Sequence, residues 1–143
     1  MSLRRARPED AATCAAILRE WIDETPWFPT LHPPSADVRF LEKKIPQMTV
    51  SGDPARGFIA VEDDYVSCLY VGRAHRQDGL GRALLEDAMA RNTSLRLWTF
   101  QANTGAQRIY LRAGFTEAQR TDGADNEEKL PDIEYVWHAG GRP

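Results

Sequence analysis

Two glycines separated by a single residue, Gly79 and Gly81, stand where an arginine-bearing loop runs into a helical pattern: Arg76-Gln77-Asp78-Gly79-Leu80-Gly81-Arg82. The first-turn N–H groups of a helix have no partner inside it, and the helix dipole adds about half a positive charge there. Glycines at that place remove the side chains that would keep an anion away from those amides. Arg76 and Arg82 add charge-assisted donors. Asp78 runs against this chemistry, and its carboxylate must point outward or cap the helix. A second constellation lies downstream, where Asn103 and Tyr110 are seven residues apart. On a helix that is close to two turns, so an amide and a phenol share a face roughly 10 Å apart along the axis. The pair suits an elongated ligand lying beside the helix. Each segment also has a plainer reading, a helix start with permissive glycines and a core tyrosine with its hydroxyl at the surface.

These residues need elements to hold them. Residues 3–6 read as a short strand, and Pro8, Glu9 and Asp10 mark a helix start. Ala12, Ala15, Ala16, Arg19 and Ile22 recur at helical spacing to about Asp23. Residues 25–34 hold four prolines among Trp27, Phe28, Leu31 and His32, an aromatic loop. Ser35 is placed to cap a second helix carrying Val38, Phe40, Leu41 and Ile45. Strands are expected at 49–50, 57–62 and 65–71, the last two joined by a turn at Asp63-Asp64. The third, apolar nearly throughout, reads as covered on both faces. A loop at 72–78 enters a helix over 79–91, with Leu80, Ala83, Leu84 and Ala88 on one face. A strand at 95–101, a helix at 103–113 stopped by Gly114, a strand at 115–119, a polar acidic loop at 121–132 and a closing strand at 133–138 complete the order. The tail is Gly-Gly-Arg-Pro. Interleaved strands and helices imply an α/β (α+β) domain over residues 1–143, a mixed sheet with helices on both faces.

Composition narrows the function. The 143 residues are 42% hydrophobic and 27% charged, with a net charge of −3. Without a Lys/Arg block there is no footprint for nucleic acid. No stretch is long and apolar enough for a membrane span, and no secretory leader is visible. Cys14 and Cys68 show no paired spacing and read as buried free thiols, as in a reducing cytoplasm. His32, His75 and His138 have no metal-ligand spacing, so no metal is expected.

Together the two constellations resemble the GNAT superfamily of acyl-CoA-dependent N-acetyltransferases. Arg76-Gln77-Asp78-Gly79-Leu80-Gly81 matches its Gln/Arg-x-x-Gly-x-Gly/Ala pyrophosphate loop. Asn103-x-x-Ala106-x-x-x-Tyr110-x-x-x-Gly114-Phe115 is similar to its second cofactor segment. Leu69-Tyr70-Val71 looks like its fourth strand, which pairs by backbone with the pantetheine arm. The likeness covers about residues 57–119 well and the first helices by order of elements alone. It implies a largely antiparallel sheet of about six to seven strands, opened into a V between the fourth and fifth. It also implies acetyl-CoA as acyl donor, and a small-molecule or peptide amine as acceptor. A homodimer is common in that family.

The resemblance implies a mechanism as well. An amine attacks the thioester directly, a strand N–H near Tyr70 or Val71 steadies the carbonyl oxygen, and Tyr110 supplies the leaving thiolate with its proton. Many relatives carry a glutamate base on the fourth strand, where this chain has Tyr65-Val66-Ser67-Cys68. Glu62, Glu134 and His32 are the remaining bases, and Cys68 lacks the neighbours that would activate it as an acyl carrier. Trp27, Phe28 and Leu31 are expected at the acceptor cleft or as a lid on the core. Asp122, Asp125, Glu127 and Glu128 are carboxylates for a cationic amine or a solvated loop. Two other classes stay open: an acyl-CoA sensor without turnover, and an interaction domain without cofactor.

Overall fold

A computed structural model describes residues 2–141; Met1, and Arg142 and Pro143 of the tail, lie outside the described residues. The order is β1 (Leu3–Arg5), α1 (Asp10–Asp23), α2 (Pro34–Lys44), β2 (Met48–Ser51), β3 (Gly57–Glu62), β4 (Tyr65–Val71), α3 (Leu80–Arg91), β5 (Ser94–Phe100), α4 (Thr104–Ala113), β6 (Thr116–Thr121) and β7 (Asp132–His138). The seven strands form one sheet in the order β1-β2-β3-β4-β5-β7-β6. Every neighbouring pair is antiparallel except β4 with β5. Among the described residues no helix is long and apolar enough to cross a membrane, and no cluster of His, Cys, Asp or Glu is placed to hold a metal ion.

The two faces of the sheet carry separate cores, because side chains alternate along a strand. Phe58 and Ala60 of β3 face α1 and α2, packing with Cys14, Ile17 and Leu41. Ile59 faces the opposite way, toward Leu80, Leu84 and Leu85 of α3 and Tyr110 of α4. In α1 the buried stripe is Ala11, Cys14, Ala15, Ile17 and Leu18, whereas Ala12 and Ala16 are exposed. Arg19 instead reaches across to the buried Asp37 of α2, Nη2 to Oδ2 at 2.8 Å. Helix α2 begins one residue before the expected serine cap: Pro33 is the N-cap and Pro34 the first helical residue, a position where its missing N–H costs nothing. Phe40 lies outside the core, with the Lys44 ammonium 4.8 Å over its ring.

Strand β4 departs most from expectation. Ala60 pairs with Cys68 but Val61 pairs with Val66, so Ser67 is an extra residue, a β-bulge. The alternation therefore resets: Val66 faces α3, while Cys68 and Tyr70 face α1. On its other edge β4 meets β5 in one ladder pair, Tyr65 with Arg96. That closed end is tied by Arg96, whose N–H donates to the Asp64 carbonyl at 2.8 Å and whose guanidinium lies 4.8 Å over the Tyr65 ring. Beyond it the strands part. Leu69, Tyr70 and Val71 are therefore half-buried rather than covered on both faces.

At the start of α1 an ion pair makes stability sensitive to acid. Asp10, whose side chain is 5% exposed, takes both Arg4 guanidinium nitrogens at 2.8 Å and the Arg7 N–H at 2.7 Å. The hydrogen bond from Arg4 chiefly holds its carboxyl below the usual carboxylate range. A group lowered on folding contributes stability above its unfolded pKa of about 3.9 and loses it as pH falls through the folded value. Urea unfolding at neutral pH should show Asp10→Asn weaker by about 1–2 kcal/mol, since Arg4 loses its buried carboxylate and keeps the Gly52 carbonyl at 3.0 Å and the exposed Asp53. The gap between variant and parent should shrink below about pH 4; an unchanged gap at low pH would mean that the charge of the Asp10 carboxylate is not what stabilises the fold.

Candidate active-site cleft

Parting β4 from β5 opens a cleft of about 1190 Å³. A short 3₁₀ segment, Arg73–Asp78, leads from β4 to α3 along one end of it. Gly79 is the α3 N-cap at φ +74°, a left-handed conformation natural to glycine, and no side chain caps the helix. A Cβ on Gly81 would meet Val71 Cγ2 at 3.5 Å and nothing closer. The first turn of α3 thus borders the cleft at Gly79 and Gly81, two residues without side chains.

Of the thirteen residues singled out from sequence, Leu69, Tyr70, Val71, Arg76, Gly79, Gly81, Arg82, Asn103, Ala106 and Tyr110 line this one cleft. Gln77, Asp78 and Leu80 do not. Leu80 turns its side chain into the core at 3% exposure, so it brings only backbone to the loop. Asp78 points outward, 66% exposed, with His75 Nδ1 at 3.9 Å, and caps nothing. Arg76 Nε donates to the Val71 carbonyl at 3.1 Å, and its guanidinium also pairs with Glu24. Arg82 leans along its own helix toward Glu86 at 3.6 Å.

Asn103 is the N-cap of α4, its Oδ1 accepting the Ala106 N–H at 3.1 Å; its side-chain amide nitrogen makes no bond among the described residues. Two turns on, Tyr110 is 8% exposed and wedged between Phe115 and Tyr135, ring centroids 5.8 and 6.0 Å away. Among the described residues its hydroxyl has no hydrogen-bond partner. Burial pushes both the Tyr110 and the Tyr70 phenols well above their ordinary pKa, so each is a donor across the physiological range.

None of the three bases considered from sequence lines the cleft. Glu62 is 2.9 Å from Lys44 Nζ, and that hydrogen bond keeps its pKa low. Glu134 accepts from Gln119 at 2.9 Å. His32 is exposed and pairs with Glu127, linking the segment between α1 and α2 to that between β6 and β7. Cys68 is inert, its thiol pushed up to about 11 by burial. Carboxylates do reach the cleft: Asp125 and Glu128 from the segment between β6 and β7, and Asp132 from the start of β7. Asp122 and Glu127 do not line it. The aromatic loop sits behind the wall rather than on it. Trp27 and Phe28 pack edge-on against Phe100 at 5.8 and 5.6 Å and against Trp21 at 5.9 and 5.0 Å, while Leu31 is 45% exposed. Phe100 and Trp21 are the residues that present this cluster to the cleft.

The geometry has counterparts. A model of the acetyltransferase (GNAT) domain matches residues 47–117, which run from β2 through the α3 glycines and the Asn103–Tyr110 helix to β6. The chain belongs to the GNAT superfamily. It is 34% identical over 105 residues to N-alpha-acetyltransferase 40 of Saccharomyces cerevisiae, an alignment covering 65% of this chain and 35% of that protein. It thus spans about a third of the length of the curated relative it matches. The GNAT fold extends over nearly all of the described chain. The apo form of YjaB from Escherichia coli superposes with a TM-score of 0.76 at 22% identity, over 95% of this chain and 96% of that one. YncA of Salmonella typhimurium, a putative acetyltransferase solved with acetyl-CoA, gives 0.75 at 19% identity, over 96% and 93%.

Several GNAT cleft residues gave no signal in the sequence. Ser67 becomes visible only through the bulge it makes, and Ile109 of α4 is 43% exposed and lines the cleft. Gln119 and Thr121 reach the cleft from β6, an edge strand exposed along its whole length.

Proposed function

We propose that this GNAT protein is an N-acetyltransferase carrying acetyl from acetyl-CoA to a primary amine by direct attack with both substrates bound. One observation carries the reading: a single cleft joins an uncapped helix N-terminus at Gly79 and Gly81 to a buried phenol, Tyr110, whose hydroxyl has no partner among the described residues. The residues fit the donor, because the α3 amides offer an anion site with no side chain in the way. Acetyl-CoA, when bound, supplies an activated thioester. The amides of α3, with Arg76 and Arg82, hold its diphosphate. The β5-facing edge of β4, unpaired beyond Tyr65, offers residues 67–71 to the amides of the pantetheine arm. Asn103 contributes its side-chain N–H₂ to the same arm. A β4 amide near Tyr70 or Val71 donates to the carbonyl oxygen, and Tyr110 donates to the departing sulfur.

The acceptor is a primary amine, on a peptide or a small molecule. It enters beside Asp125 and Glu128. Glu128, a carboxylate that lines the cleft together with Tyr70, takes the proton the amine must lose. Support for the enzyme class comes from the yeast relative, an N-alpha-acetyltransferase by name, and from the neighbour solved with acetyl-CoA.

The test is a pair of measurements on the purified protein. Acetyl-CoA at a hundred times its dissociation constant should stabilise the fold by roughly 2.7 kcal/mol in a thermal melt. Thiol release with a panel of amines then reads turnover. No stabilisation at millimolar acetyl-CoA would end the reading; stabilisation without turnover on any amine would leave a binding module in its place.

A further inference from the structure

Three charged side chains meet where α1 ends and the phosphate loop begins. Glu24, the residue following α1, holds its carboxylate against two arginines of the 3₁₀ segment: Arg73 Nε donates to Oε2 at 2.8 Å, and Arg76 Nη1 pairs with Oε1. One turn earlier, Glu20 Oε1 accepts the Arg73 backbone N–H at 2.7 Å, so the helix end and the loop are fastened together. The Glu24 side chain is 16% exposed; burial would raise its pKa, but the hydrogen bonds from Arg73 and Arg76 outweigh that and hold it below the usual range. The arginines differ. Arg76 is 34% exposed and lines the cleft beside Gly79 and Gly81, whereas Arg73 is 66% exposed and does not.

We infer that Glu24 is a built-in counter-anion of the phosphate loop, which occupies Arg76 in the free protein and yields it to the cofactor diphosphate. The inference rests on the diphosphate lying at Gly79 and Gly81, as proposed above. Two arginines share one carboxylate, and this makes the exchange cheap. When Arg76 turns to an incoming anion, Glu24 keeps its bond to Arg73 and is never left buried without a partner, the situation that makes breaking an ion pair costly. Arg76 meanwhile stays anchored by its Nε on the Val71 carbonyl, so only the far end of the guanidinium has to change partners. Glu24 therefore lowers cofactor affinity while it keeps the loop in shape. No group is modified and no bond other than hydrogen bonds is exchanged.

Isothermal titration with CoA tests this on the parent, Glu24→Gln, Arg76→Gln and the double variant, with circular dichroism melts to confirm that each folds. Glu24→Gln should bind CoA about fivefold more tightly, the size expected when one part-exposed ion pair no longer competes. The gain should vanish in the Arg76→Gln background. Arg73→Gln, an exposed change with little bearing on folding, should act in the opposite direction: Glu24 then has Arg76 alone, and CoA binds more weakly. Adding Glu24→Gln to it should abolish that weakening. Equal or weaker binding by Glu24→Gln overturns the inference, and so does a gain that persists without Arg76, which would mean a general charge effect. If the parent itself binds no CoA, the cofactor reading fails and the counter-anion goes with it; if the parent binds and the variants do not differ, Glu24 alone is wrong.

Discussion

Tyr110→Phe should lower kcat by about 10- to 150-fold while leaving the affinity for CoA within about twofold and the fold intact. The range follows from the role proposed for the hydroxyl, a hydrogen bond to a developing thiolate, which is charged and therefore worth roughly 1.5–3 kcal/mol. The fold should be indifferent because the Tyr110 hydroxyl has no partner among the described residues to abandon, and its ring keeps its contacts with Phe115 and Tyr135. Burial raises the phenol far above the ordinary thiol pKa of about 8.5. At equilibrium the proton belongs on the phenol, not on the sulfur, so in the proposed reaction Tyr110 works mainly by donating a hydrogen bond while the thiolate leaves. One consequence is that the pH–rate profile of the parent should carry no limb from Tyr110 between about pH 6 and 9. Steady-state kinetics with a saturating amine, alongside CoA titration, separates the outcomes. A variant as fast as the parent would take Tyr110 out of the chemistry. Equal loss of affinity and rate would make it a packing residue at the cofactor.

Much of this site was legible in the sequence because its signals are local. A Gly-x-Gly pair entering a helix and an Asn and Tyr seven apart each declare their geometry within one element, and ten of the thirteen residues named from those patterns and from the family resemblance they carry line the cleft. Of the two orientations open to Asp78, outward or capping α3, backbone conformation selects the first, because Gly79 takes the N-cap place in a left-handed turn. The failures share a cause in tertiary context. The run Tyr65-Val66-Ser67-Cys68-Leu69-Tyr70-Val71 read as a strand covered on both faces because it is apolar, but a bulge at Ser67 and the single pairing with β5 open its far half. Neither feature has a compositional marker. The acceptor side was the least legible. The aromatic loop read as cleft wall or lid, and it became a cluster behind Trp21 and Phe100. The carboxylates that do reach the cleft include Asp132, which opens β7 and is set there by its pairing opposite Phe100. Long-range pairing of that kind is not written in any one segment.

Gly81→Glu should abolish the stabilisation by acetyl-CoA, with at least a hundredfold loss of affinity, in a protein no less stable than the parent without ligand. The site allows the change. Gly81 has an ordinary helical conformation, and the nearest atom to an added Cβ is Val71 Cγ2 at 3.5 Å, normal van der Waals contact. Gly79 would be the wrong target, since at φ +74° any other residue carries backbone strain of roughly 1–2 kcal/mol, and lost binding could not be told from a disturbed loop. A glutamate in the first turn of α3 is also favourable to the helix. It brings a negative charge to the positive end of the dipole, worth about 0.3–1 kcal/mol, and replaces a glycine that costs up to about 1 kcal/mol in a helix. The same carboxylate then occupies the ground a diphosphate needs and repels it. Stability and binding should therefore move in opposite directions, a combination that neither misfolding nor a distant ligand site produces. Melts of parent and variant, with and without acetyl-CoA, read both at once. A variant that melts higher alone and does not respond to ligand would place the diphosphate on the α3 amides. A variant that still gains several degrees from acetyl-CoA would mean that the cofactor is held elsewhere in the cleft, and that the two glycines serve only the turn into the helix.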